Sequence, residues 1–187
     1  MLPGFDGNMI DALITSRTRI KLITRFFLNA NAKAHLRGLA TEFGESSNAI
    51  RLELNRFEKA GLLTSNQEGI KKVFQANTDH PLFPDLHSIL LKHLGFDQII
   101  QKVIDGLGDI RRVYVTGDYA NGIDAGAIEL LFVGNAVDQD YLDELVRKAE
   151  RLIHRVINYL VHTEAEEQDF LSGKEDTEYL LLWQNEA

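Results

Sequence analysis

Leu36-Arg37-Gly38-Leu39-Ala40-Thr41-Glu42-Phe43, then Gly44-Glu45, then a run from Ser46 to Ala60, then Leu62-Leu63-Thr64-Ser65 and Lys72-Val73-Phe74-Gln75-Ala76: this stretch decides how the chain is read. Leu36, Leu39, Ala40 and Phe43 fall at i, i+3, i+4 and i+7, which puts one apolar stripe on a short helix. Gly44 supplies a left-handed stop. In the next run Ile50, Leu54, Phe57 and Gly61-Leu62 continue the buried side, and Ser46 or Ser47 caps the first turn by accepting from a free backbone N–H. Two helices joined by so short a turn must cross steeply.

That is a helix-turn-helix, and the polar side of its second helix carries Ser47, Asn48, Arg51, Asn55 and Arg56, groups able to reach base edges and phosphates from a major groove. Leu62–Ser65 and Lys72–Ala76 alternate around Asn66-Gln67-Glu68-Gly69 as a hairpin whose far side begins with Lys71-Lys72. From about Ser16 to Ala76 the arrangement resembles the winged helix-turn-helix of the arsenic-repressor type. The resemblance implies a dimeric transcription regulator that binds double-stranded DNA. Ser47, Asn48 and Arg51, with Asn55 beside them, would read bases, and Lys71 and Lys72 would hold phosphate. Leu52 on the outer side, and Glu45, Glu53 and Glu58 adding negative charge near the phosphates, point instead toward a protein-docking module.

The chain has 187 residues and no cysteine, which excludes disulfides and thiolate metal sites. No apolar run approaches a membrane span, and Met1-Leu2-Pro3-Gly4 lacks the basic-then-apolar order of a signal peptide, so the expectation is a cytoplasmic protein without membrane contact. A net charge of −8 argues against nucleic acid until the chain is divided at Gly95. Residues 1–95 hold 12 Lys+Arg against 9 Asp+Glu, whereas residues 96–187 hold 8 against 19. Only the first part is suited to sit on DNA.

Three segments are expected: a winged domain at 1–80, a helical linker and dimerisation segment at 81–107, and a mixed α/β domain at 108–187, giving an α+β protein overall. Residues 1–14 read as an arm from which Ile10, Leu13 and Ile14 could pack on a partner subunit. A helix begins at Thr15-Ser16, with Ile20, Ile23, Phe26 and Phe27 inside and Arg17, Arg19, Lys21 and Arg25 solvated or near phosphate. Pro81 and Pro84 mark a joint. Beyond it, Leu86, Ile89, Leu90, Leu94, Ile99, Ile100, Val103 and Ile104 supply the surface for a homodimer.

The last segment reads as a strand over 109–116, a turn at Gly117-Asp118-Tyr119-Ala120-Asn121-Gly122 and a strand over 127–134. A long helix over 138–160 follows, with Leu152, Val156 and Ile157 inside, then a strand over 158–162, a helix from Glu164 to about Ser172, and a buried run at Tyr179–Trp183. Sheet and helices are expected in one layer pair.

Strand, Gly-x-x-Ala-x-Gly, strand resembles the minimal DNA polymerase beta-like nucleotidyltransferases. That family has Gly-Ser at the turn and Asp-x-Asp on the next strand, where carboxylates at i and i+2 share a face and converge on divalent metal. Here Asp118 stands in place of the serine, and Ala127 and Glu129 in place of the two aspartates. The resemblance therefore implies a domain that has lost catalysis, with Gly117, Asp118 and Glu129 as a vestigial nucleotide pocket that could take a small ligand. No metal or cofactor is implied. The reading of the residues alone gives Asp118 the role of capping the following helix. Two alternatives stay open: a metal-dependent nucleotidyltransferase with an altered site of Asp118, Asp124 and Glu129, and an antitoxin-like interaction module that uses the acidic half.

Overall fold

The computed structural model describes residues 9–100, 107, 109–123 and 126–185. Two compact units meet in sequence at Leu90/Leu91. The fold is mixed α+β.

In the N-terminal unit, α1 (Met9–Leu13) buries Ile10, which is therefore unavailable to a partner, and leaves Leu13 exposed. The helix α2 (Arg17–Phe27) starts where the Ser16 hydroxyl accepts from the Arg19 N–H, and it buries Leu22, Ile23, Phe26 and Phe27 on one side. The short strand β1 (Lys33–His35), which the sequence pattern does not reveal, leads into α3 (Leu36–Phe43). Gly44, at φ 64°, ends α3, and the Ser46 hydroxyl caps α4 (Ser47–Lys59) by accepting from the Ala49 N–H at 3.2 Å. Ile50, Leu54 and Phe57 of α4 are buried as their spacing requires.

The hairpin is longer than expected. Asn66, Gln67 and Glu68 belong to β2 (Leu63–Glu68), and only Gly69 and Ile70 turn the chain into β3 (Lys71–Ala76). Gly69 takes φ 61°, the positive angle that a tight two-residue hairpin loop demands, so pairing runs out to Glu68↔Lys71. The sheet order is β1-β3-β2, all antiparallel. Pro84 lies in the first turn of α5 (Phe83–His93), where a missing N–H costs nothing. Leu90 is buried in the chain itself while Ile89 and Leu82 are exposed.

In the C-terminal unit, Gly95 at φ 81° precedes α6 (Phe96–Ile99), and Leu94 and Ile99 are buried. Val103 and Ile104 lie outside the described residues. The sheet is formed by β4 (Ile110–Thr116), β5 (Ala127–Gly134), β6 (Val156–His162) and β7 (Tyr179–Gln184) in the order β6-β5-β4-β7. Only β5 and β6 are parallel, and α8 (Gln139–Ile153) connects them. The four-residue α7 (Gly117–Ala120) follows β4, and α9 (Glu164–Ser172) precedes β7.

Three expectations need correction here. The long helix stops at Ile153, because His154 turns left-handed at φ 55° and the β-branched Val156 and Ile157 enter β6. Leu152 is exposed, as are Val156 and Leu160. The Tyr179–Trp183 run is an edge strand that is half-buried at best, with Leu181 facing outward. Helices also cover both faces of the sheet, not one. Glu167 of α9 binds Arg112 and Tyr114 on one face, and Asp143 of α8 binds Tyr159 on the other. Residues of alternate parity meet these two layers: Tyr114, Leu131 and Val133 pack with Phe170 and Leu171, while Phe132 meets the Tyr159 ring edge-on.

Candidate nucleic-acid interface

A groove of about 390 Å³ opens in the N-terminal unit. Arg51 and Asn55, one helical turn apart on α4, form one wall, and Lys71 and Lys72 of β3 with Ile70 of the turn form another. His35, Leu36 and Arg37, where β1 passes into α3, close it, and Leu54 and Phe74 form a buried floor. Four of the residues expected at DNA, Arg51, Asn55, Lys71 and Lys72, are thus brought together. Ser47 and Asn48 are exposed on the first turn of the same helix but do not line the groove.

Local chemistry holds these walls in place. His35 caps α3 through Nδ1, which accepts from the Gly38 N–H at 2.9 Å, and this packs its ring so closely that a Cβ on Gly38 would lie 3.0 Å from Cε1. Glu58 of α4 accepts from Ser65 Oγ of β2 at 2.5 Å and from Lys72 Nζ of β3 at 2.7 Å, so one carboxylate fixes both strands of the hairpin against the helix. Lys72 also lies 5.0 Å above the Phe74 ring.

The carboxylates expected to repel phosphate are engaged. Glu53, buried on α4, accepts from Arg19 at 2.9 and 3.2 Å and from Arg56 at 2.8 Å. Its carboxyl is held below the ordinary range, by the Arg19 hydrogen bonds first, against a burial that pushes the other way. Glu45 takes Thr18 Oγ1 and Lys21, Glu58 takes Lys72 and Ser65, and both are likewise lowered. Glu42 lies 3.3 Å from Arg25. Arg19, Lys21 and Arg25 are therefore tied within the unit; Arg25 is buried rather than solvated, while Arg19 and Lys21 keep more than a third of their side chains in solvent. Arg37, Arg51 and Lys71, by contrast, are exposed and have no ion-pair partner among the described residues. The sequence reading missed Arg37 and Ile70: a three-residue β1 is too short to show that the start of α3 is drawn up beside the hairpin.

The second expected site lies in the other unit. Thr116 ends β4 opposite Glu129 of β5, and Gly117 turns at φ 67°. A Cβ built on Gly117 would lie 2.5 Å from Glu129 Oε2, so this carboxylate lies across the turn. Asp118 is exposed and does not cap α7; Thr116 holds the N-cap position, with no side-chain cap bond. Asp124 lies outside the described residues. Among the described residues no three carboxylate or imidazole side chains converge as metal ligands, and no helix is long and apolar enough to cross a membrane.

No family model and no curated protein matches the chain. Among solved structures, one described as "a putative nucleotidyltransferase from Sulfolobus solfataricus" is 23% identical with a TM-score of 0.35, covering 49% of this chain and 79% of its own. Human N-acetylserotonin methyltransferase in complex with SAM is 13% identical with a TM-score of 0.28, covering 57% of this chain and 37% of its own. At such TM-scores neither likeness carries weight for fold or function.

Proposed function

We propose that the N-terminal unit is a winged helix-turn-helix that binds double-stranded DNA, and that the chain is a dimeric transcription regulator. In this reading α4 enters the major groove with Ser47, Asn48, Arg51 and Asn55, and the β2–β3 hairpin is the wing. One observation carries it: Arg37, Arg51 and Lys71 line one groove with no ion pair among the described residues, Lys71 lying across the strands from Glu68, while Glu42, Glu45, Glu53 and Glu58 are drawn into ion pairs. A surface of low formal charge thereby presents uncompensated cations. Three such cations per copy predict a slope of log K against log salt of about −5 for a dimer on two half-sites. Fluorescence anisotropy with genomic and random duplexes tests this, and absence of binding at low salt overturns it.

The C-terminal unit we read as a catalytically inactive, nucleotidyltransferase-like module for dimerisation or ligand sensing. Asp118 at the turn would repel a phosphate, and Glu129 is a lone carboxylate where paired ligands would be needed. Calorimetry with magnesium and a nucleoside triphosphate checks this. Binding that Glu129→Ala abolishes would favour the enzymatic alternative.

A further inference from the structure

We propose that the groove between α4 and the hairpin is also a binding site for a small organic anion with an apolar body, an aromatic or branched carboxylate or sulfonate. Three observations point there. The groove's volume of about 390 Å³ falls in the range of small-molecule sites. Its accessible apolar surface is at the rim, where Leu36 is half-buried and Ile70 is 96% exposed, while Leu54 and Phe74 beneath are already buried in the unit's own core. Its polar lining is cationic or neutral: Arg37, Arg51 and Lys71 with His35 and Asn55, and Lys72, whose charge Glu58 offsets from behind.

Such a lining selects by exclusion. A neutral hydrocarbon would cover Leu36 and Ile70 but would strip water from Arg51 and Arg37 without replacing it. A bare inorganic anion would pair with the guanidinium groups and leave the Ile70 side chain in water. A molecule with both parts places its acid on the Arg37 and Arg51 guanidinium groups and its body between Leu36 and Ile70, which then leaves water. The ligand site stands on the groove alone. Its consequence, that the anion and duplex DNA exclude one another because both use Arg51 and Lys71, rests on the function proposed above.

The test uses the full chain and 8-anilinonaphthalene-1-sulfonate, a fluorescent aromatic anion, with N-phenyl-1-naphthylamine as the same body without the acid. The expected result is one saturable site per chain for the sulfonate and at least ten-fold weaker binding of the amine. The double substitution Arg37→Gln/Arg51→Gln should weaken the sulfonate at least ten-fold, and Lys59→Gln, on α4 but away from the groove, should leave it unchanged. Both arginines are exposed, and circular dichroism checks that the variants keep the native fold. Ile70→Glu, at the exposed turn, should also weaken binding ten-fold and provides an independent second variant. No saturable binding, or binding indifferent to Arg37→Gln/Arg51→Gln and to Ile70→Glu, overturns the proposal. A labelled duplex added to the same samples separates the two ideas. Duplex binding without sulfonate binding ends the ligand site and leaves the DNA reading intact. Sulfonate binding with the stated charge dependence but no duplex binding at low salt does the reverse.

Discussion

Lys72 of β3 donates to the Glu58 carboxylate of α4 at 2.7 Å, and Lys71, its neighbour in sequence, has no such partner among the described residues. Adjacent strand residues point to opposite faces, so only one of the pair can turn inward to the helix. Lys72 takes the inward face, where Ser65 and Phe74 also lie, and its charge is offset there; Lys71 is exposed and makes no ion pair among the described residues. Two lysines that look equivalent in sequence have different surroundings.

If the N-terminal unit binds DNA as proposed, this difference is measurable there. Lys71→Gln should weaken duplex binding about equally for all sequences and reduce the salt slope by about 1 per bound copy. Lys72→Gln should reduce the slope by clearly less, because a cation already paired displaces fewer counterions. Glu58→Gln should release Lys72, steepen the slope, and loosen the hairpin, seen as faster amide exchange over 63–76. Equal slopes for the two lysine variants would remove the distinction.

How much of this was legible beforehand depends on range along the chain. The stop at Gly44, the cap at Ser46 and the buried Ile50, Leu54 and Phe57 follow from spacing and single-residue chemistry within one turn of helix. The pairing of Glu53 with Arg19, 34 residues away, does not, and without it Glu53 reads as exposed repulsive charge. The same limit explains the overlong helix: Val156 and Ile157 continue the apolar period of α8, and only their pairing with Ala127 and Ile128 of β5 decides for strand. In the groove, Arg51 and Asn55 show themselves by helix face, whereas Arg37 needs β1 beside β3 to bring it near.

Acid should loosen the N-terminal unit in a defined window. Glu53 has its folded-state value below the ordinary 4.5, chiefly through the Arg19 hydrogen bonds. Its stabilisation is therefore complete above 4.5 and is lost as pH falls from there through the depressed value. Glu45 and Glu58 act in the same direction. Trp183 and all 5 tyrosines lie beyond Leu91, so fluorescence is blind to this unit. Amide exchange over α2 and α4, corrected for its intrinsic rate, should be flat from neutral pH to about 5.5 and accelerate below 4.5. Arg19→Gln should cost about 2 kcal/mol at neutral pH, less than a fully buried pair because Arg19 is partly exposed. In that variant the acid-dependent part should shrink.

The C-terminal unit has its own carboxylate clamp. Glu167 is buried and receives Arg112 through Nε and Nη2, both at 2.6 Å, and the Tyr114 hydroxyl at 2.6 Å. Burial alone would raise its carboxyl, but the Arg112 and Tyr114 hydrogen bonds prevail and lower it. Burial, then the bond to Glu167, pushes the Tyr114 hydroxyl well above its usual range. Glu167→Gln leaves Arg112 without its forked acceptor and should cost about 2–3 kcal/mol, discounted because Arg112 is a quarter exposed. Urea unfolding followed by Trp183, which pairs with Val113 of β4, measures it. A loss under about 0.5 kcal/mol would mean that α9 is held chiefly by the packing of Phe170 and Leu171 and the Glu164 pairing with Arg112.

Gly117 and Glu129 test whether the second expected site retains any grip. Gly117→Ala meets two obstacles: a left-handed φ of 67°, and the Glu129 carboxylate 2.5 Å from the new Cβ. The first costs about 1 kcal/mol and stays whatever Glu129 does. The second depends on how freely Glu129 moves, and as an exposed side chain's far end it should swing aside cheaply. A double-mutant cycle of Gly117→Ala and Glu129→Ala should therefore show a coupling of only about 0.5 kcal/mol or less. Magnesium with a nucleoside triphosphate should leave that coupling unchanged, because an ungripped carboxylate has nothing to hold it over the turn. A coupling that rises by more than about 1 kcal/mol when both are added would mean that Glu129 is pinned by metal, and the inactive reading of this unit would have to be given up.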